Sequence, residues 1–255
     1  MAIYQDYAAV YDRSGQLAFS LKMIPYLARL LERHPVAGHT LLELACGTGT
    51  VAVAMAQAGW RVYAVDGSAA MLAEARKKAE QSGVQVIYSQ QDMRFLVLPE
   101  RVHLATCLYD SLNYMLTSED LLAVYRRVFQ ALLPGGLFLF DMNTAWALAS
   151  QWDDVTYFTD SEDLSVVLES HYDAARQRAT VVVTCFERVN EFYRKFSERH
   201  VEQAYPAEQI ATLLTDAGFS VEGSYTCFTF DPPGATTARI MWAARRPAGG
   251  GDEAW

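Results

Sequence analysis

Three groups of residues in this sequence have types and spacings suited to chemistry. The stretch "LLELACGTG" (41–49) carries an acid, Glu43, inside an apolar run and ends in a tight turn, with Ala45 and Cys46 leading into Gly47 and Gly49. The following apolar run, "RVYAVD" (61–66), closes on Asp66, with Gly67, Ser68 and Met71 just beyond. Glycines at a strand-to-helix turn let backbone approach a ligand, and an acid closing the next strand is placed to grip a ribose. Taken alone, "GTGTVA" fits the dinucleotide pattern G-x-G-x-x-A. The same turn serves any ligand that lays an adenosine-like ribose across strand ends, and a purely structural turn is the remaining reading. Glu43 bears on the choice. An unpaired buried carboxylate is costly, so it should meet donors. Its charge is unfavourable near a pyrophosphate and favourable near a cation.

The second group, "QQDM" (90–93), offers Gln91, Asp92 and Met93, an amide and a carboxylate that could grip an adenine edge. The third comprises polar residues where two later strands end. "LYDSLNY" (108–114) supplies Leu108, Tyr109, Asp110, Asn113 and Tyr114, and "DMN" (141–143) supplies Asp141 and Asn143. Polar groups at strand ends beside a crevice are well placed for function. Tyr193 and His200 lie further along, and the N-terminal "IYQDYAAVYD" brings Tyr4, Tyr7 and Tyr11.

The elements that must position these residues follow from periodicity. Apolar spacing predicts a helix over 17–34, bent at Pro25. Strands are expected at 40–45, 61–66, 84–89, 102–109 and 137–143. Helices are expected between them at 50–59, 68–83 and 118–133, with Ser68 and Ser118 as N-caps and Gly59 and Gly83 as stops. Strands alternating with helices imply a doubly wound parallel sheet. From about 150 to 203 the pattern changes to period two with polar turns, an antiparallel meander. A helix (205–219) and two strands close the fold, leaving "PAGGGDEAW" as a loose tail.

Composition bounds the function. The chain has 255 residues and a formal net charge of -9, with half its residues hydrophobic. This is a packed globular profile, and the charge disfavours a broad nucleic-acid footprint. The four cysteines form no CxxC pair and the five histidines are scattered, so neither a metal site nor a disulfide framework is expected. No secretory signal or membrane span is read, which makes the expected location cytoplasmic.

Combined in order, "LLELACGTG", "VYAVDGSAAML", "QQDM", "CLYDSLNYM" and "LLPGGLFLFDMN" resemble the class I S-adenosylmethionine-dependent methyltransferases. Within that family the chain is most similar to small-molecule enzymes with an antiparallel lid after the fifth strand, such as glycine N-methyltransferase and amino-sugar N,N-dimethyltransferases. The resemblance implies an α/β fold: a doubly wound, mostly parallel seven-stranded sheet with the last strand antiparallel, plus an inserted antiparallel β lid. Residues 1–143 and 204–247 would form the core, 144–203 the lid and 248–255 a disordered tail. It implies S-adenosyl-L-methionine as cofactor. Gly47 and Gly49 would admit it, Ala45, Cys46 and Leu108 would meet its methionine end, and Glu43 would organise the loop. Asp66 would hold the ribose, Gly67, Ser68 and Met71 would line it, and Gln91, Asp92 and Met93 would meet the adenine. Tyr4 and Tyr11 would face the sulfonium, a cation suited to aromatic faces.

The implied function is methyl transfer to a small-molecule acceptor, with nitrogen favoured over oxygen. Tyr109, Asp110, Asn113 and His200 are the catalytic candidates, and Tyr7, Tyr114, Asn143 and Tyr193 the substrate-binding ones. An RNA methyltransferase, a nicotinamide-dependent reductase and a non-catalytic S-adenosylmethionine-binding protein are the competing readings, and a homodimer is left open.

Overall fold

The computed structural model describes residues 3–249. Its larger sheet holds seven strands: β1 (Thr40–Leu44), β2 (Arg61–Asp66), β3 (Ile87–Gln90), β4 (Val102–Cys107), β5 (Leu132–Asn143), β10 (Ser220–Thr226) and β11 (Arg239–Arg245). They lie in the order β10-β11-β5-β4-β1-β2-β3. β1 to β5 pair only in parallel with one another, and β11 runs antiparallel to both β5 and β10. The order reverses at β1, so a crevice opens over the ends of β1 and β4.

Helices cover both faces. Leu41 and Val62 point towards α1 (Leu17–Arg33), α2 (Thr50–Gln57) and α3 (Ala69–Gln81), through Leu27, Leu30, Ala52 and Leu72. Leu42, Leu44 and Val65 point the other way, towards α4 (Ser118–Ala131) and α6 (Ala207–Asp216). This two-sided burial is why the strands read as continuous apolar runs. Glu43 shares a face with Leu41, between β1 and the helix of the glycine turn.

After β5 comes a short helix, α5 (Ala145–Gln151), that periodicity did not predict. The four expected meander strands follow as a separate sheet: β6 (Val155–Asp160), β7 (Leu164–Asp173), β8 (Arg178–Val189) and β9 (Phe192–Gln203), antiparallel throughout. Its inner face packs Leu164, Val166, Val183 and Cys185 against Tyr7 and Val10 of the N-terminal segment.

Local chemistry moves several expected boundaries. Ser68 caps α3 as read, accepting the amide of Met71. In α4 the cap is Thr117, whose hydroxyl accepts the amide of Asp120, while Ser118 is the first helical residue. β3 starts late because the amides of Gly83 and Val84 turn back to the α3 carbonyls of Glu80 and Ala79. The "PGG" stretch after α4 lies within β5, where Gly135 and Gly136 pair with Arg246. Residues 250–255 of the expected tail lie outside the described residues. Among the described residues, no helix is long and apolar enough to cross a membrane.

Thr117→Ala is expected to lower the unfolding free energy by about 1 kcal/mol, the usual worth of a side-chain cap. Urea unfolding checks this, and an unchanged midpoint would deny Thr117 the capping role.

Candidate active site

A cavity of about 800 Å³ sits over the carboxyl ends of β1, β2 and β3. Glu43, Ala45, Cys46, Gly47, Asp66, Gly67, Ser68, Met71, Gln91, Asp92, Met93 and Leu108 all line it, as do Tyr4 and Tyr11 from the N-terminal segment. Asp66 fixes its floor. One carboxylate oxygen accepts the amide of Gly47 at 2.8 Å and the other the amide of Ser68 at 2.8 Å. One acid thereby ties the glycine turn to the start of α3. Burial raises the proton affinity of Asp66, and these two amides oppose the rise.

The turn itself is held in the left-handed region at Ala45 (φ 51°), Gly47 (φ 54°) and Gly49 (φ 75°). A non-glycine residue in that region is strained, and such strain concentrates at ligand sites. A Cβ on Gly47 would meet nothing within 4 Å, so this glycine leaves the cavity wall open. Gly49 differs from its expected role. It does not line the cavity, and a Cβ there would lie 2.8 Å from the Cβ of Ala75, so it serves the packing of α3. Asp92 lines the cavity with both carboxylate oxygens on Arg94, which holds its carboxyl below the usual range. Gln91 is bonded to Ser89 and Val97 of its own loop.

A second cavity, of about 340 Å³, lies between the large sheet and the lid. Tyr4, Tyr11, Tyr109 and Tyr114 line both cavities and form the wall between them. Tyr7 and His200, with Leu168, Val181 and Val183 from the lid, complete its aromatic and aliphatic sides. A chain of polar atoms crosses the wall. The hydroxyls of Tyr4 and Tyr114 are 2.8 Å apart, and Tyr114 lies 3.1 Å from Nδ1 of His200. Burial lowers the proton affinity of His200, against the opposing charges of Glu198 and Asp110, and its buried Nε2 has no hydrogen-bond partner.

Beneath the tyrosines is an acidic centre. The chain leaves β4 through two successive left-handed residues, Tyr109 (φ 59°) and Asp110 (φ 52°). Asp141 of β5, fully buried, accepts both of their amides, at 2.8 and 3.1 Å. Arg239, at the start of β11, lies 2.5 Å from Asp141 and 3.2 Å from Asp110. Asn143 donates one amide hydrogen to Asp110 at 2.7 Å and the other to Glu202 at 2.9 Å. Two carboxyl groups thus share one guanidinium, and Asn143 ties a third, Glu202, to them.

The N-terminal segment closes the roof. Glu198 on β9 accepts the backbone amides of Tyr4, Gln5, Asp6 and Tyr7. On the other side, Asp12 accepts from Thr48 of the glycine turn and Lys78 of α3.

Three further expected site residues line neither cavity. Tyr193 is 60% exposed near the β8–β9 turn and lines neither cavity, because it is an odd-numbered residue on a strand whose even face turns inward. Asn113 is buried and spends its amide on the backbone of Asn143 and Gln203, so it is a structural tie. Asn143 meets the acidic centre from behind and does not line either cavity. Sequence reasoning missed Glu202 and Arg239. Strand parity was the available signal for Glu202, since it shares a face of β9 with His200. No signal in the sequence marked Arg239.

Known proteins agree with this architecture. Residues 41–136 match the family model described as a methyltransferase domain. YqeM of Bacillus subtilis (strain 168) is 29% identical over 96% of this chain and 97% of its own length. The crystal structure of an S-adenosylmethionine-dependent methyltransferase from Clostridium acetobutylicum ATCC 824 superposes with a TM-score of 0.86, at 26% identity over 96% of this chain and all of that one. The sugar N-methyltransferase KedS8 from Streptoalloteichus sp ATCC 53650 shares the fold, with a TM-score of 0.75 and 22% identity over 97% of each chain.

Glu43 gives a measurable signature. Its carboxyl is fully enclosed and one oxygen has no partner. Burial, and then the charge of Asp66, push its pKa from 4.5 up to about 8. A carboxyl whose pKa rises on folding stabilises the fold while protonated. That contribution is complete below pH 4.5 and is lost as pH rises to about 8. Across this window the unfolding free energy of the wild type, without cofactor, is expected to fall relative to that of Glu43→Gln. Urea unfolding at successive pH values measures it, and parallel curves would contradict the assignment.

Proposed function

Because this chain is a class I S-adenosylmethionine-dependent methyltransferase, we propose that its two cavities divide the reaction and that the acceptor is a small amine. The larger cavity takes the cofactor, which when bound supplies an electrophilic methyl group on a sulfonium. The residues fit it: the unpartnered buried oxygen of Glu43 suits a cationic ligand, and the open Gly47 wall admits close approach. Asp66 receives the ribose hydroxyls, Ala45, Cys46 and Leu108 border the methionine portion, and Met71 and Met93 enclose the adenine. In this reading residues 1–143 and 204–247 carry the cofactor, and 144–203 form a lid that excludes water.

The observation that carries the acceptor class is the acidic centre. Asp110, at the end of the smaller cavity, and Asp141 behind it stand against a single Arg239, so the pair of carboxylates keeps one negative charge in excess, with Glu202 beside them. Amines reach an enzyme as ammonium ions, and such a site holds them. A neutral hydroxyl gains nothing from that charge. The named activity of KedS8, a sugar N-methyltransferase, supports the same class. A walled cavity of about 340 Å³ and a net charge of -9 favour a small molecule over RNA. Tyr4, Tyr11, Tyr109 and Tyr114, at the junction, align the nitrogen with the methyl group, and such orientation contributes about 7–11 kcal/mol to a displacement.

The test is transfer of labelled methyl from S-adenosylmethionine into a metabolite extract, with mass spectrometry locating the methyl. A product methylated on nitrogen is expected, and an O-methylated product overturns the amine reading. Asp66→Ala is expected to weaken S-adenosylhomocysteine binding at least about tenfold, or 1.4 kcal/mol, by calorimetry. An unchanged affinity with an intact circular dichroism spectrum would remove Asp66 from the cofactor site.

A further inference from the structure

We propose that Glu202, on the lid strand β9, takes the proton from the amine acceptor, with Asp110 and Asn143 holding its carboxyl at the cavity wall. This rests on the amine reading above and adds a residue to it. Glu202 is 4% exposed and lines the acceptor cavity. Its Oε2 accepts from Nδ2 of Asn143, and the same nitrogen donates to Oδ2 of Asp110, which brings the two carboxyl groups together. They lie within hydrogen-bonding reach of one another. Two carboxylates in that contact need a proton between them.

The surroundings decide which group carries it. Asp110 and Asp141 both contact the same terminal nitrogen of Arg239. Glu202 has the Asn143 amide, the Asp110 charge and the rings of Tyr4, Tyr114 and His200 near it. Burial first, and then the Asp110 charge, raise the proton affinity of Glu202 well above that of an ordinary glutamate, and Arg239 opposes this only in part. Glu202 therefore rests as the acid and donates to Asp110. Burial makes His200 a weaker base than usual, and its Nδ1 is already engaged by Tyr114. A proton acceptor works best when its affinity approaches that of the group it deprotonates. Glu202 is shifted towards an amine and His200 away from one.

The steps balance. An arriving ammonium displaces the Glu202 proton to solvent, and its charge then faces the carboxylate. One N–H proton passes to Glu202 and frees the nitrogen lone pair. That pair forms the N–C bond as the C–S bond breaks, with the C–S electrons leaving on sulfur. The product is an N-methylammonium ion beside protonated Glu202, which is also the resting state once the product departs.

Methylamine and methanol, both small enough for this cavity, are the probes, added to protein saturated with S-adenosylhomocysteine. In infrared difference spectra of wild type minus Glu202→Gln at neutral pH, where the contribution of Glu43 common to both cancels, a protonated-carboxyl band should remain. Methylamine should remove the band and methanol should leave it. Calorimetry in buffers of different ionisation enthalpy should find close to one proton released per methylamine bound, and none in Glu202→Gln. The variant should keep its S-adenosylhomocysteine affinity, which confirms its fold. If the band is common to both proteins, survives methylamine, or yields equally to methanol, the inference fails. An O-methylated product in the labelling assay sinks the amine reading instead, whereas an N-methylated product with an unchanged band sinks this inference alone.

Discussion

One fully buried carboxylate, Asp141, fixes the turn that carries the wall between the two cavities. The chain must reverse sharply after β4, and it does so through two left-handed residues with side chains, each costing roughly 1–2 kcal/mol. Asp141 offsets that strain by accepting both amides of the turn. Burying this charge is tolerable only because Arg239 lies against it. Through this pair the turn is tied to β5 and β11, while stacking on Phe19 and the bond to Gln16 hold the Tyr109 ring in the wall between the cavities. A polar network within the strand ends, rather than the apolar core beneath, sets the geometry of the site.

The sheet and its crossings were legible because their signals are local. Apolar runs of strand length, a capped helix after each and a Gly-x-Gly turn can all be read along the chain. Asp66 was legible for the same reason, since it closes a strand directly after the glycine turn. The meander was legible from period-two alternation. The acidic centre was not, because its members come from β4, β5, β9 and β11 and meet only in the folded sheet. Arg239 reads as the polar start of a terminal strand, and although Asp110 and Asp141 stand out as polar groups at strand ends, nothing along the chain joins them to Arg239 and Glu202.

The lid shows a subtler loss. Alternation places residues on two faces but does not say which face turns inward. His200 and Tyr193 were both expected at the acceptor, although an even and an odd residue of one regular strand point opposite ways. Burial chooses the even face, which carries Phe196, Glu198, His200 and Glu202. Choosing His200 thus implied Glu202 and excluded Tyr193. Thr117 and Ser118 present the same ambiguity at one helix start, where adjacent hydroxyls compete and only one has the extended backbone that a cap needs.

Glu198 grips the N-terminal segment solely through main-chain nitrogens, four of them on one carboxylate. Such a fastening is blind to the side chains it carries. The rings that this segment presents to the cavities can be exchanged for others without breaking these four bonds. The cost of such an exchange falls instead on the ring contacts, the packing of Tyr7 against Val166 and Val183 and the Tyr4–Tyr114 hydroxyl pair.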